Sequence, residues 1–123
     1  MAIHSVKNFL FLASGSFTNT SFSATNEINV EGYDEGAVLI SVTSDSGETP
    51  TLTIVLQTWS EALSVWFDQE IILDTLDVDA AAATTIVRSI PIRTLGKKLR
   101  CRYKVGGSGS PSITFSIHFV GKQ

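Results

Sequence analysis

The chain has 123 residues, enough for one domain that buries about two-thirds of the surface its unfolded form exposes, so a core needs no covalent staples. Its single cysteine, Cys101, excludes an intramolecular disulfide, and no stretch approaches the ~18 consecutive apolar residues of a membrane span. The net charge of -3 hides a separation along the chain: all twelve carboxylates lie between Glu27 and Asp79, while seven of the nine Lys and Arg lie between Arg88 and Lys104.

Two readings of that separation stay open. The zones neighbour each other in the fold and pair at the surface, where each pair is worth little, or they meet between subunits of a head-to-tail ring.

In chain order, residues from about Val6 to Ala13 read as a strand that is apolar on both faces, suited to lying between other protein layers or against a second subunit. The apolar run after Lys7 is shorter than the roughly 7 to 15 residues of a signal-peptide core, so it is read as a strand and not as a leader. The Ser/Thr-rich segment Phe17 to Ala24 is an edge strand or ordered loop anchored by Phe17 and Phe22. Ile28 and Val30 alternate with Glu27, Asn29 and Glu31 up to the turn Gly32 to Gly36.

Val38, Ile40 and Val42 then point one way, the chain turns through Asp45-Ser46-Gly47-Glu48, and Leu52, Ile54 and Leu56 point inward again, which predicts a hairpin. Trp59 to Leu63 is a connection. Beyond it Leu63, Val65, Phe67, Ile71 and Leu73 are expected on one face, with Ser64, Trp66, Asp68 and Glu70 on the other. Asp74 to Ala83 is expected as a loop, with at most one helical turn in Ala80 to Ala83, since so short a helix is marginal alone. Ile86, Ile90 and Ile92 belong to a strand that Pro91 places at a sheet edge.

The clearest alternation comes last. Leu99, Cys101, Tyr103 and Val105 share one face and Lys98, Arg100, Arg102 and Lys104 the other; Ile113, Phe115, Ile117 and Phe119 then alternate with Thr114, Ser116 and His118. The intervening Gly106-Gly107-Ser108-Gly109-Ser110 predicts a second hairpin. Its closing Ser110-Pro111-Ser112-Ile113-Thr114 echoes Thr49-Pro50-Thr51-Leu52-Thr53 at a spacing of 61 residues, either as two similar units or by chance. The fold class that follows is all-β: residues 1–123 as a single antiparallel two-sheet sandwich of about eight strands, jelly-roll-like, with a small closed barrel as the other candidate.

Catalytic signatures are missing. Asp74, Asp77 and Asp79 are close in sequence, but no glycine supplies the sharp turn of a calcium loop and no glutamate closes it; they read as solvated carboxylates. His4 and His118 have no cysteine or carboxylate at a ligand spacing, so no metal is expected, and no cofactor. Neither a nucleophile elbow nor a phosphate loop is present, and the chain is read as not an enzyme. The face of Lys98, Arg100, Arg102 and Lys104 lacks an interleaved stacking platform, because Tyr103 turns inward, so direct nucleic-acid binding is not expected. Tyr33, Trp59 and Trp66 lie in or beside turns or on an outer face, where they are either interface anchors or contacts for a glycan.

Read together, Thr49-Pro50-Thr51-Leu52-Thr53-Ile54-Val55-Leu56-Gln57, then Val65-Trp66-Phe67-Asp68, then Leu99 to Val105 and Ser110 to Phe115 through Gly121-Lys122 resemble small virion accessory proteins of tailed bacteriophages, in particular β-sandwich capsid decoration (cement) proteins. The resemblance covers roughly residues 36 to 122, with Ser60 to Ser64 in place of the usual Asp/Gly-rich turn. It implies a structural virion protein that assembles in the host cytoplasm, sits on the outside of the head as a homo-oligomer, a trimer by analogy, and clamps the major capsid protein by burying apolar surface. On this reading Val6, Phe9, Leu10, Phe11 and Leu12 and the row Lys98, Arg100, Arg102 and Lys104 contribute subunit or capsid contacts. The alternative is a carbohydrate-binding or adhesion sandwich that uses Tyr33, Trp59 and Trp66.

Overall fold

Alternation of apolar and polar side chains sends every second residue into a shared interior, and the computed structural model, which describes residues 6–78, 84–90 and 97–123, contains strands and no helix among them. The strands are β1 (Val6–Phe17), β2 (Ser23–Ala24), β3 (Ile28–Asn29), β4 (Glu35–Ser46), β5 (Thr51–Ser60), β6 (Val65–Asp77), β7 (Thr84–Ile90), β8 (Lys98–Gly106) and β9 (Ser112–Lys122). They form a four-stranded sheet in the order β1-β9-β4-β7 and a five-stranded one in the order β2-β8-β5-β6, with β3 also on β8. Every pairing is antiparallel. With β2 and β3 counted as one position, the chain crosses between the two sheets at every connection except β5 to β6, as in a jelly roll.

The core between the sheets is continuous. Phe11, Val38, Ile40, Phe115, Ile117 and Phe119 from one sheet meet Leu52, Ile54, Leu56, Leu99, Cys101 and Val105 from the other, all at 0% exposure. Burial pushes the Cys101 thiol far above its ordinary pKa, so it sits there as a small apolar side chain.

Both predicted hairpins are corners between sheets. β4 pairs with β7 and β9 and β5 with β6 and β8, so Gly47 carries the chain across the core; β8 and β9 likewise lie in opposite sheets. Alternation reports only which side of a strand is buried, and a strand in either sheet buries a side toward the same core.

The two corners nest against each other at one end of the sandwich. Glu48 N donates to Ser108 O at 3.0 Å, Ser108 N donates to Thr49 Oγ1 at 3.1 Å, and the Thr49 and Ser108 hydroxyls are 3.0 Å apart. Gly107, at φ +112°, passes so close to Thr49 that a Cβ there would fall 1.8 Å from the Thr49 carbonyl oxygen. The similar segments beginning at Thr49 and Ser110 are therefore spatial neighbours at matching corners. The true hairpin is β5 to β6, closed by Ser64 N donating to Ser60 O at 2.8 Å, where the sequence suggested only a connection.

Three further expectations change. On β6, Val65, Phe67 and Ile71 are exposed, as is Leu63 in the turn before it, whereas Ile72 and Leu73 are adjacent and both buried. Register shifts against β5 at three places disrupt strict alternation along this edge strand, as bulges do. Asp74 and Asp77 belong to that strand and not to a loop. β1 runs on to Phe17, with two register shifts against β9. Among the described residues β7 pairs only with β4, an edge position as expected. Asp79, the Ala80 to Ala83 run, Pro91, Ile92, the Leu95-Gly96 turn and His4 lie outside the described residues.

Candidate functional site

The outer face of the five-stranded sheet carries the most elaborated group of side chains. On β8 the buried set Leu99, Cys101, Tyr103 and Val105 leaves Lys98, Arg100, Arg102 and Lys104 half-buried on the outside. Register sets Arg100 beside Gln57 of β5, and Gln57 beside Asp68 of β6, in one row across three strands. One step along, Trp59 and Trp66 are paired, with ring centroids 5.5 Å apart at 59°.

Hydrogen bonds tie this row together. Arg100 Nε donates to Gln57 Oε1 at 2.8 Å, and Gln57 Nε2 donates to Asp68 Oδ1 at 3.0 Å. Arg102 donates from Nε and Nη2 to the two Asp68 oxygens at 3.0 and 2.6 Å. Arg102 starts on β8 and Asp68 on β6, so the arginine stem crosses β5 at Val55 and helps keep that outward residue at 4% exposure. The hydrogen bond from Arg102, then that from Gln57, hold the Asp68 carboxyl below its ordinary pKa.

Aromatic rings bracket both arginines. The Arg100 guanidinium lies 4.5 Å from the Trp66 ring and that of Arg102 3.9 Å from Phe22, with Lys104 Nζ 4.8 Å from the same Phe22. The result is a flat strip of Trp59, Trp66, Arg100, Gln57, Asp68, Arg102 and Phe22 whose polar atoms are fixed by one another. Asp68, placed on the outer face, Phe22, read as an anchor, and Gln57 were not among the site candidates of the sequence reading; a glutamine at an outward position of β5 was the available signal.

The charge zones do meet within the fold, in the pairs Asp68–Arg102 and Glu31–Lys97 at 3.5 Å, while Glu35 pairs at 3.6 Å with Lys122, outside the basic zone. Tyr33 is not with the tryptophans; it packs edge-on against Phe9 at 5.7 Å beside Gly121. Of the five candidates on β1, Phe11 is fully buried and Phe9 and Leu12 pack against the core, so only Val6 and Leu10 face outward, 61% and 45% exposed. A completely buried Phe11 cannot touch a partner. Among the described residues no group of three or more His, Cys, Asp or Glu is placed to hold a metal ion.

No family model matches the sequence, and no curated protein matches it. Solved structures do match in three dimensions. The VP2 subviral particle of infectious bursal disease virus superposes with a TM-score of 0.70 at 9% identity over 97% of this chain and 32% of VP2. The chain thus spans about a third of the length of the infectious bursal disease virus chains it matches. The SPBc2 prophage-derived protein YomS matches at TM-score 0.59 and 16% identity, over 100% of this chain and 97% of that one. The CBM22-1-GH10 modules of Clostridium thermocellum xylanase 10B, solved with xylohexaose, match at TM-score 0.59 and 14% identity, over 98% of this chain and 26% of theirs.

These likenesses establish the fold. It is a β-sandwich shared by virus particles, a prophage protein and a xylanase chain.

Proposed function

We propose that this chain is a structural protein of a virion, a decoration protein that binds the outside of a phage head and stabilises it by contact with the major capsid protein and with copies of itself. The observation that carries the reading is the match to a prophage-derived protein along nearly the whole length of both chains, beside the viral-particle matches. The surfaces are consistent with a contact role: Val6, Leu10, Phe67, Ile71 and Val87 are exposed apolar side chains on strands, and the Lys98 to Lys104 row presents half-buried cations. The protein acts by burying surface across subunits, without catalysis or a cofactor, and copy number follows from the lattice it occupies.

The test is cosedimentation with expanded heads of the phage that encodes it, combined with heat challenge of heads assembled with and without the chain. Binding together with a higher disruption temperature is expected. Heads that neither retain the chain nor gain stability would refute the proposal.

A carbohydrate-binding reading has its own observation, the Trp59–Trp66 pair beside Arg100 on an open sheet face, in a fold also found in a chain that carries a CBM22-1 module. It is tested by titrating soluble oligosaccharides, xylohexaose included, while following tryptophan emission in the wild type and in Trp66→Ala. Flat titrations in both proteins would dismiss it.

A further inference from the structure

The two arginines on the outer face of the five-stranded sheet are held differently. Arg102 places Nε and Nη2 on the two oxygens of Asp68, so its charge is answered inside the fold. Arg100, on the same face of β8, is in no ion pair among the described residues. Its Nε donates to Gln57 Oε1 at 2.8 Å, and its Cζ lies 4.5 Å from the Trp66 ring centroid. The N–H groups on Nη1 and Nη2 meet no acceptor among the described residues. Gln57 is 8% exposed, and its amide is oriented by its other bond, Nε2 to Asp68 Oδ1, so its oxygen has to face Arg100. The half-buried guanidinium is thereby fixed by its Nε edge and one flat side, with the Nη edge open. Continuing the β5–β8 register one step past Thr58 and Leu99 sets Lys98, also without an ion pair among the described residues, beside Trp59.

We propose that this part of the face recognises an acidic oligosaccharide, one carrying a hexuronate whose carboxylate is received end-on by Arg100 while the sugar ring lies on the Trp59–Trp66 pair. The inference rests on the carbohydrate-binding reading and names its ligand. Three observations select that class. An arginine whose Nε is already taken meets a carboxylate through Nη1 and Nη2, two parallel N–H···O bonds that match a planar fork to a planar anion. The half-buried tryptophans, tilted at 59° to each other, offer apolar ring surface that suits the C–H face of a pyranose. Finally, donors and acceptors lie side by side. Lys98 and Arg100 donate, and the exposed Asp68 carboxylate, whose Oδ2 accepts only from Arg102 Nη2, has a lone pair left for a sugar hydroxyl.

That acceptor disfavours other anionic partners. A nucleic-acid strand carries a phosphate at every step, and Asp68 puts a fixed negative charge in its track. Phe22, the other ring on this face, is covered by Arg102 at 3.9 Å and Lys104 at 4.8 Å and is a poor platform for a base. An acidic peptide meets the same carboxylate and brings no hydroxyls to use it. A sugar acid brings a single carboxylate per ring with hydroxyls around it, so Arg100 gains its missing partner and Asp68 gains a donor. Gln57 and Trp66 hold the guanidinium in place before the ligand arrives, which spares the entropy of ordering a long side chain on binding.

The experiment follows tryptophan emission and calorimetric heat as the full chain is titrated with glucuronate-bearing xylo-oligosaccharides, oligogalacturonate and oligomannuronate, and with xylohexaose as the neutral match. At least one uronate ligand should bind about 10-fold or more tightly than xylohexaose, the scale of a charge-assisted contact. Arg100→Gln, its folding verified by thermal melting, should lose about 10- to 100-fold in affinity for that ligand and leave xylohexaose unchanged. Arg100→Lys should recover only part of the loss, because an ammonium has no planar fork. Lys104→Gln, over Phe22 at the other end of the row, should change neither affinity. Equal affinities for acidic and neutral ligands, or uronate binding indifferent to Arg100→Gln, overturn the carboxylate site and leave the carbohydrate-binding reading standing. Flat titrations with every oligosaccharide overturn both. A glutamate-rich peptide or single-stranded DNA that binds this face more tightly than every uronate also overturns the proposal.

Discussion

Replacing Gly107 with alanine tests whether the two inter-sheet corners determine the fold. At φ +112° an L residue is strained, which costs about 1–3 kcal/mol by itself. The added Cβ would also lie 1.8 Å from the Thr49 carbonyl oxygen, 2.7 Å from its carbon and 3.3 Å from Pro50 Cα. All three are backbone atoms that cannot rotate away, so the nested corners must separate, adding about 1–3 kcal/mol as overpacking does. The combined loss of roughly 2–6 kcal/mol is a large part of the ~5–15 kcal/mol that holds a domain together. At about 3–5 °C per kcal/mol for a chain of this size, the midpoint should fall by roughly 6–30 °C. Far-ultraviolet circular dichroism melts and urea titrations measure it, with Gly15→Ala as the control. There the new Cβ would approach only the Phe17 ring, at 3.2 Å, and no positive φ is involved, so the change should stay within about 1 kcal/mol. A Gly107→Ala midpoint within about 3 °C of the wild type would refute the nested-corner account.

Phe11→Ala should cost about 3–5 kcal/mol, because the ring is wholly buried against Phe119, while Val6→Ala on the same strand should cost under about 0.5 kcal/mol; urea unfolding separates them. Asp68→Asn should lower stability by about 0.2–1 kcal/mol at neutral pH, since the carboxylate is half-exposed and screened. The carboxyl pKa is depressed in the folded state, so this contribution is present above the unfolded value near 4 and is lost as pH falls through the folded value. Wild type and Asp68→Asn should thus converge in urea titrations carried out at the acid end, and a difference that persists there would contradict the pairing. Cys101 should resist a thiol reagent in the native protein and react fully in denaturant; rapid native labelling would show that β8 opens locally.

From the sequence alone, the inward and outward sides of β4, β5, β8 and β9 were determined, because a period of two in Val38 to Val42, Leu52 to Leu56, Leu99 to Val105 and Ile113 to Phe119 is a local property of the extended chain. The all-β class and the outward row Lys98, Arg100, Arg102 and Lys104 followed from the same fact. Partnership did not, because a strand buries the same residues whether its successor lies beside it or across the core. Only the tertiary structure turned two expected hairpins into nested corners and put Ile71 on the outer side through a register shift. It also joined residues far apart in sequence, Arg102 to Asp68 across β5 and Leu10 to His118 and Val87 across one face. Such groupings depend on strand order, which is decided by how two whole sheets share a single interior and not by any one segment's pattern.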